Sequence, residues 1–355
     1  MLDRNRECIR SARRTPPPCA ATRRPNRLPP SAPRARAERA ATRDDVYGED
    51  PTVNRLEALA AQTLAKQAAI FVPSGTQGNL LALLAHCERG DEYIVGQQGH
   101  TYKYEGGGAA VLGSIQPQPL DYQPDGTLDL DKVEAAIKPD DPHFARTRLL
   151  CLENTQGGKP LPLEYLQRAR AFCDRKGLGL HLDGARIFNA AVALGVPVAD
   201  VARHFDSVSV CLSKGLGAPV GSVLCGTTEL VRKARRWRKV LGGGMRQAGV
   251  LAACGIHALE HHVRRLREDH DNAARLAQGL SAIPGLRVVG GRAHTNMVFI
   301  DMEPEASVRL LEHLKSRGIL IGGYGLMRLV THLDVDRADI ERVIGETGEY
   351  LQKAA

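Results

Sequence analysis

The sequence predicts an α/β protein, a mainly parallel sheet with helices on both faces followed by a smaller C-terminal α+β unit. Three observations carry this expectation. Short apolar runs alternate with helical patterns from Ala68 to Asp183. Two of the runs end on single charges, LGLHLD on Asp183 and SVSVCLSK on Lys214. Beyond Met245 the texture changes to long helical repeats with a few isolated strands. In an open α/β sheet the ends of successive strands meet at one crevice, and ligands bind there. A carboxylate and an amine delivered to that edge suggest a Schiff-base cofactor site.

Residues 1–43 come first, rich in Arg, Pro and Ala without apolar periodicity, and such a segment cannot bury enough surface to offset its ordering. They hold 12 arginines, no lysine and three acids, whereas the remainder has 36 basic and 37 acidic residues. The net charge of +8 therefore belongs to a disordered tail, and the folded body is neutral, which argues against nucleic acid as a partner. No apolar run approaches the roughly 20 residues of a membrane span, and the Arg-rich start lacks the apolar segment of a secretory signal. A cytoplasmic location is expected. The eight cysteines are scattered, so neither disulfides nor structural zinc are indicated.

The large domain is expected over residues 44–244. Asp50 followed by Pro51 starts a helix in which Leu56, Leu59, Ala60 and Leu64 keep helical spacing. AAIFVPSGTQGNLLALLAHC then reads as strand, small-residue turn and apolar helix. Free N–H groups and the helix dipole make such a turn an anion site, so Ser74, Gly75 and Thr76 form a candidate phosphate cradle. The strand DEYIVG leads into a loop carrying His100, Tyr102 and Tyr104. A helix near Leu130, the loop PDDPHFAR with His143, the strand TRLLCLEN and the helix LPLEYLQRARAFCDRKG follow. Arg186 is placed one helical turn beyond Asp183. An amine, a carboxylate and a phosphate cradle are what pyridoxal phosphate requires: one holds its aldehyde, one keeps its ring nitrogen protonated, one binds its phosphate.

GLGAPVG after Lys214 imitates a dinucleotide fingerprint but does not open a βαβ unit, so that reading is rejected. The basic helix ELVRKARRWRKV and the turn GGGMRQ offer Lys239 and Arg246 as phosphate or subunit contacts. Residues 245–355 read as one bridging helical pattern to Leu280 and a small domain with strands RVV, MVFIDM, ILIGGY and LMRLV. His257, His261 and His262 lack the carboxylate motif of a metal helix, and no metal is expected. Arg328 stands inside an apolar strand, where a charge must be paired, and a substrate carboxylate is a suitable partner.

PSGTQGN, HTYKYE, ENTQGGK, HLDGARIFNA, CLSKGLGAPVGS, RWRK with GGGMRQ, and MRLVTHLD together make the chain resemble the low-specificity L-threonine aldolases, from DDVYGEDPTVNRLE onward. The resemblance implies a fold-type I pyridoxal-phosphate large domain with a mainly parallel seven-stranded sheet and a homotetramer built from dimers. It implies retro-aldol cleavage of L-threonine and L-allo-threonine to glycine and acetaldehyde. It also implies Lys214 as the Schiff-base lysine, Asp183 as the ring-nitrogen partner, His100 stacked on the ring, and Ser74, Gly75 and Thr76 at the phosphate. Arg186 and Arg328 are then contacts to cofactor oxygen and substrate carboxylate. Tyr47, His143, Lys239 and Arg246 match further active-site positions, some supplied across a subunit interface. His100 and His143 are both candidate bases for the β-hydroxyl.

The family's RSDT-type segment ahead of DDVYG has no counterpart here, and the Arg/Pro/Ala stretch reads as a frameshifted or wrongly started translation of a GC-rich gene. Two other functions fit less of the sequence. One is a β-eliminating lyase or aminotransferase on the same fold; the other is a nucleic-acid-binding protein that uses the basic tail.

Overall fold

The computed structural model describes residues 10–11, 40–322 and 326–354. The expected disordered tail lies outside them, apart from a two-residue strand Arg10–Ser11 antiparallel to Ile319–Leu320. The chain divides into two compact units, one within Pro29–Val263 and one containing Arg264–Ala355.

The larger unit holds a seven-stranded sheet: β1 (Ala68–Val72), β2 (Asp91–Gly96), β3 (Gln116–Leu120), β4 (Arg146–Glu153), β5 (Gly179–Asp183), β6 (Ser207–Cys211) and β7 (Ser222–Gly226). Their spatial order is β1-β7-β6-β5-β4-β2-β3. Only β7 runs antiparallel, so six strands end at one edge and β7 begins there. β1, β2, β6 and β7 are buried almost throughout, as expected where helices cover both faces of a sheet. Ile70 and Val72 pack with Leu81, Leu224, Leu230 and Ala234, which places helices α2 (Gly75–His86) and α9 (Thr228–Val240) on one face. Alternation turns Ala69 and Phe71 to the other face.

Helix α1 (Pro51–Thr63) begins where the sequence places it. Asp50 is its buried cap and accepts from Thr52 N and Val53 N at 3.0 Å each, an arrangement worth about 1 kcal/mol. The same carboxylate accepts from Gly249 N at 3.0 Å, tying α1 to helix α10 (Gly249–His261). Between them lie α3 (His100–Lys103), α4 (Gly108–Gly113), α5 (Leu130–Ala136), α6 (Leu163–Lys176), α7 (Ile187–Leu194) and α8 (Val198–Ala202).

The structure corrects three local expectations. His100 opens the short helix α3 rather than lying in a loop. Arg186 is not a turn into a helix: it caps α7 with φ −130° and ψ 31°, because Gly184 and Ala185 form a turn first. The single helical pattern running to Leu280 is two helices, α10 and α11 (Leu266–Ser281), separated by a turn at 262–265. The first of these belongs to the larger unit.

The smaller unit sets strand Met297–Asp301 between Met327–Val330 and Arg287–Val288, all antiparallel. Helices α11, α12 (Pro304–Ser316) and α13 (Arg337–Ala354) accompany this sheet. Leu276, Leu280, Val298, Ile300, Leu310, Leu314, Leu329 and Ile340 form a core of its own.

Candidate active site

The carboxyl edge of the large sheet collects the ends of four neighbouring parallel strands. Asp183 is the last residue of β5, Glu153 the last of β4, Lys214 lies three residues beyond β6, and His100 lies four beyond β2. Asp183 is buried; its Oδ1 accepts from Ala185 N at 3.0 Å and its Oδ2 from Asn79 Nδ2 at 2.8 Å. The same Asn79 Nδ2 donates to Glu105 Oε1 at 2.8 Å, and that oxygen also meets His100 Nδ1 at 2.8 Å. A carboxylate only accepts, so the His100 ring carries its proton on Nδ1 and presents Nε2 as its exchangeable position. His100, Glu105 and Asp183 each place one ligating atom within 4.8 Å of the others.

Charge balance follows from this crowding. The hydrogen bond to Glu105 is the main cause that raises the His100 pKa above the ordinary histidine value. Burial raises that of Glu105. Burial also pushes the Glu153 carboxyl up to about 7, with the Asp183 charge adding to the rise. Glu153 Oε2 accepts from His100 N at 2.9 Å, fixing the start of α3 against the end of β4. The Lys214 ammonium acts electrostatically on both His100 and Glu153.

The cradle stands beside this cluster because Asn79 lies one turn into α2, whose first residues are Gly75 and Thr76. Ser74 caps the helix, its Oγ accepting from Gln77 N at 3.1 Å. Ser222, the first residue of β7, is fully buried, and its Oγ has no hydrogen-bond partner among the described residues. A Cβ on Gly75 would lie 3.6 Å from that oxygen. An orphaned hydroxyl beneath the N-terminus of a twelve-residue helix fits a phosphate-bearing group. Three more buried donors without partners, Asn154 Nδ2, Thr155 Oγ1 and the Tyr122 hydroxyl, belong to or adjoin the same edge.

A basic cluster adjoins the cradle. The Arg246 guanidinium pairs with Asp44 and lies 5.8 Å over the exposed Tyr47 ring. Lys239 is exposed near Asp44, and the buried Arg238 pairs with Asp45 at 2.8 Å. Gly243 faces the Gln77 carboxamide so closely that any Cβ would overlap it.

One chain does not bring every expected residue together. His143 is exposed, held at 2.6 Å by Asp141, in the loop that enters β4. That is the amino end of the parallel strands, opposite the Lys214 edge. Arg186 is half-buried at the start of α7, its N donating to Asn154 O at 3.3 Å. Arg328 is half-buried in the smaller unit, in register with Phe299. Asn79, Glu105, Glu153 and His181 were not singled out by sequence. The signal for two of them was periodicity: His181 shares one face of a buried strand with Asp183, and Asn79 interrupts an otherwise apolar helix face.

A sequence profile of the beta-eliminating lyases matches residues 29–304. The chain is 56% identical over 310 residues to the low specificity L-threonine aldolase of Escherichia coli (strain K12), covering 87% of this chain and 92% of that one. It is 46% identical over 310 residues to low-specificity L-threonine aldolase 1 of Arabidopsis thaliana, with 84% and 86% covered. In fold it is similar to Leishmania major threonine aldolase, at a TM-score of 0.76 and 24% identity over 89% of this chain and 94% of that one. A serine palmitoyltransferase of Sphingomonas wittichii shares the fold at a TM-score of 0.73 and 19% identity, over 90% and 83%. The strand-end carboxylates, the lysine and the candidate phosphate cradle all fall inside the matched stretch, and the chain belongs to the low-specificity L-threonine aldolases, a family of pyridoxal-phosphate-dependent lyases.

Proposed function

We propose that this chain cleaves L-threonine and L-allo-threonine to glycine and acetaldehyde, with Lys214, Asp183 and His100 as its working groups. The observation that carries the reading is the convergence of the Asp183 carboxylate, the Lys214 amine and the α2 cradle on one sheet edge. Bound pyridoxal phosphate supplies the electron sink for the bond that breaks.

The chain's own residues do the rest. With the cofactor bound, the Lys214 amine would be the group that holds its aldehyde until the substrate amine takes that place. Asp183, oriented by donors from Asn79 and Ala185, would hold the proton on the ring nitrogen. The N–H groups of Gly75 and Thr76, the Ser74 and Ser222 hydroxyls, and Lys239 and Arg246 bind the phosphate. By the family resemblance, Arg186 and Arg328 would contact cofactor oxygen and the substrate carboxylate; a fixed carboxylate orients the α-carbon and so would favour Cα–Cβ cleavage over loss of the α-proton. A base takes the β-hydroxyl proton as the Cα–Cβ bond breaks and the aldehyde C=O forms. His100 is the base this chain supplies itself, through Nε2, and a positioned base contributes typically ~10²- to 10⁴-fold. His143 reaches a site only from a neighbouring subunit, in a homotetramer that also shares Tyr47, Lys239 and Arg246. No helix among the described residues is long and apolar enough to cross a membrane.

The test is acetaldehyde and glycine formation from L-threonine by the purified chain with added pyridoxal phosphate. Both products in equal amounts support the reading. A keto acid in their place would transfer the chain to β-elimination or transamination.

A further inference from the structure

Behind the Asp183 cluster a line of buried and half-buried polar side chains continues from Asn79 through residues to which the reaction gives no part. His86, the last residue of α2, places Nε2 2.8 Å from Ser207 Oγ on β6. The same oxygen lies 2.8 Å from His181 Nδ1 on β5. His181 Nε2 lies 3.3 Å from Asn79 Oδ1, and Asn79 Nδ2 reaches both Asp183 and Glu105. His181 and Ser207 are register partners in neighbouring parallel strands and are fully buried.

The direction of these bonds follows from one fixed end. Asn79 touches two carboxyl oxygens with a single atom, which must be the donating nitrogen, so its Oδ1 faces His181. An oxygen that only accepts requires a proton on His181 Nε2. Burial pushes His181 down to about 3 and His86 down to about 4, so each ring is neutral and carries one N–H. His181 Nδ1 is then bare and accepts from the Ser207 hydroxyl, which in turn accepts from His86 Nε2.

We propose that His86, Ser207, His181 and Asn79 form a one-way hydrogen-bond relay, every donor pointing toward Asp183 and Glu105, and that Asn79 and His181 are positioning residues for the Asp183 carboxylate. The relay polarises each successive bond in the same sense, and its last donor, Asn79 Nδ2 at 2.8 Å, fixes the orientation of the Asp183 carboxylate. Its effect on catalysis rests on the reading of Asp183 as the ring partner; its direction does not.

Neutron diffraction from deuterated crystals of the chain tests the direction without reference to the reaction. Deuterium on Nε2 of both histidines, with His181 Nδ1 bare, is expected. Deuterium on His181 Nδ1, directed at the Ser207 backbone carbonyl that also lies in its reach, would overturn the relay. The positioning role is read from Ser207→Ala, which removes one oxygen and spares the packing, and from Asn79→Ala. Asn79→Ala should lower kcat about tenfold with KM for L-threonine unchanged, as loss of a charge-assisted donor costs. Ser207→Ala should lower kcat in the same sense by less. Both should weaken pyridoxal phosphate binding, measured by fluorescence quenching. If both variants keep wild-type kcat and cofactor affinity, the positioning role is wrong whatever the neutron map shows. If the wild type cleaves no threonine, cofactor affinity still decides the point.

Discussion

Glu153 illustrates how a single residue at this edge links function to stability. Its carboxyl titrates at about 7 in the fold against 4.5 ordinarily, because it is buried beside Asp183. A raised carboxyl favours the fold when protonated, so its contribution is complete below about pH 4.5 and is lost as pH rises through about 7. Glu153→Gln keeps the shape and cannot ionise. The variant should gain stability relative to wild type as pH rises from 5 to 8, by on the order of 2 kcal/mol. Paired thermal melts at the two pH values check this; a gap that does not widen with pH would place the Glu153 carboxyl in the ordinary range. Residues such as Asp183 and Lys214 were legible in the sequence because each ends an apolar run with a charge. Glu153 ends its strand in the same way, yet TRLLCLEN gives no sign that its glutamate meets the start of α3. That meeting depends on strand order, which the sequence does not print.

Among elements, α2 is the one on which the site depends most. Its N-terminus forms the proposed cradle, Asn79 reaches the carboxylates, and His86 at its last turn starts the proposed relay. Its start was readable from strand, small-residue turn and helix in sequence, because caps and dipoles are local physics. The packing of the turn at 242–244 against it was not, since contact between Gly243 and Gln77 spans distant segments. Gly243→Ala should force the Gln77 carboxamide away from the start of α2. Weaker cofactor affinity is expected, with little change in the melting of the cofactor-free protein, and a titration of fluorescence quenching measures it. Unchanged affinity would separate the glycine turn from the phosphate site. The bridging pattern up to Leu280 misled for a related reason: helical periodicity survives a short turn, so α10 and α11 read as one.

At the scale of the whole molecule, the mainly parallel α/β fold was readable from alternation and the seven-stranded sheet from the family resemblance, whereas the placement of His143 was not. That histidine stands at the opposite end of the strands from Lys214, so the proposed homotetramer assigns the two residues of one site to different chains. A subunit carrying Lys214→Ala and one carrying His143→Phe should each be impaired alone and should recover activity when refolded together, because some mixed sites then hold both wild-type residues. No recovery, with mixed oligomers shown to form, would remove His143 from the site. The geometry of α2 also sets where this chain can change length. Asn79 and His86 lie seven residues apart, two turns, and therefore share one face toward β5 and β6. One residue inserted between them would rotate one against the other by about 100° and disconnect the cradle from the relay. Insertions and deletions should thus accumulate in the loop holding His143's neighbours and in the 289–296 turn, while the twelve residues of α2 stay fixed in number.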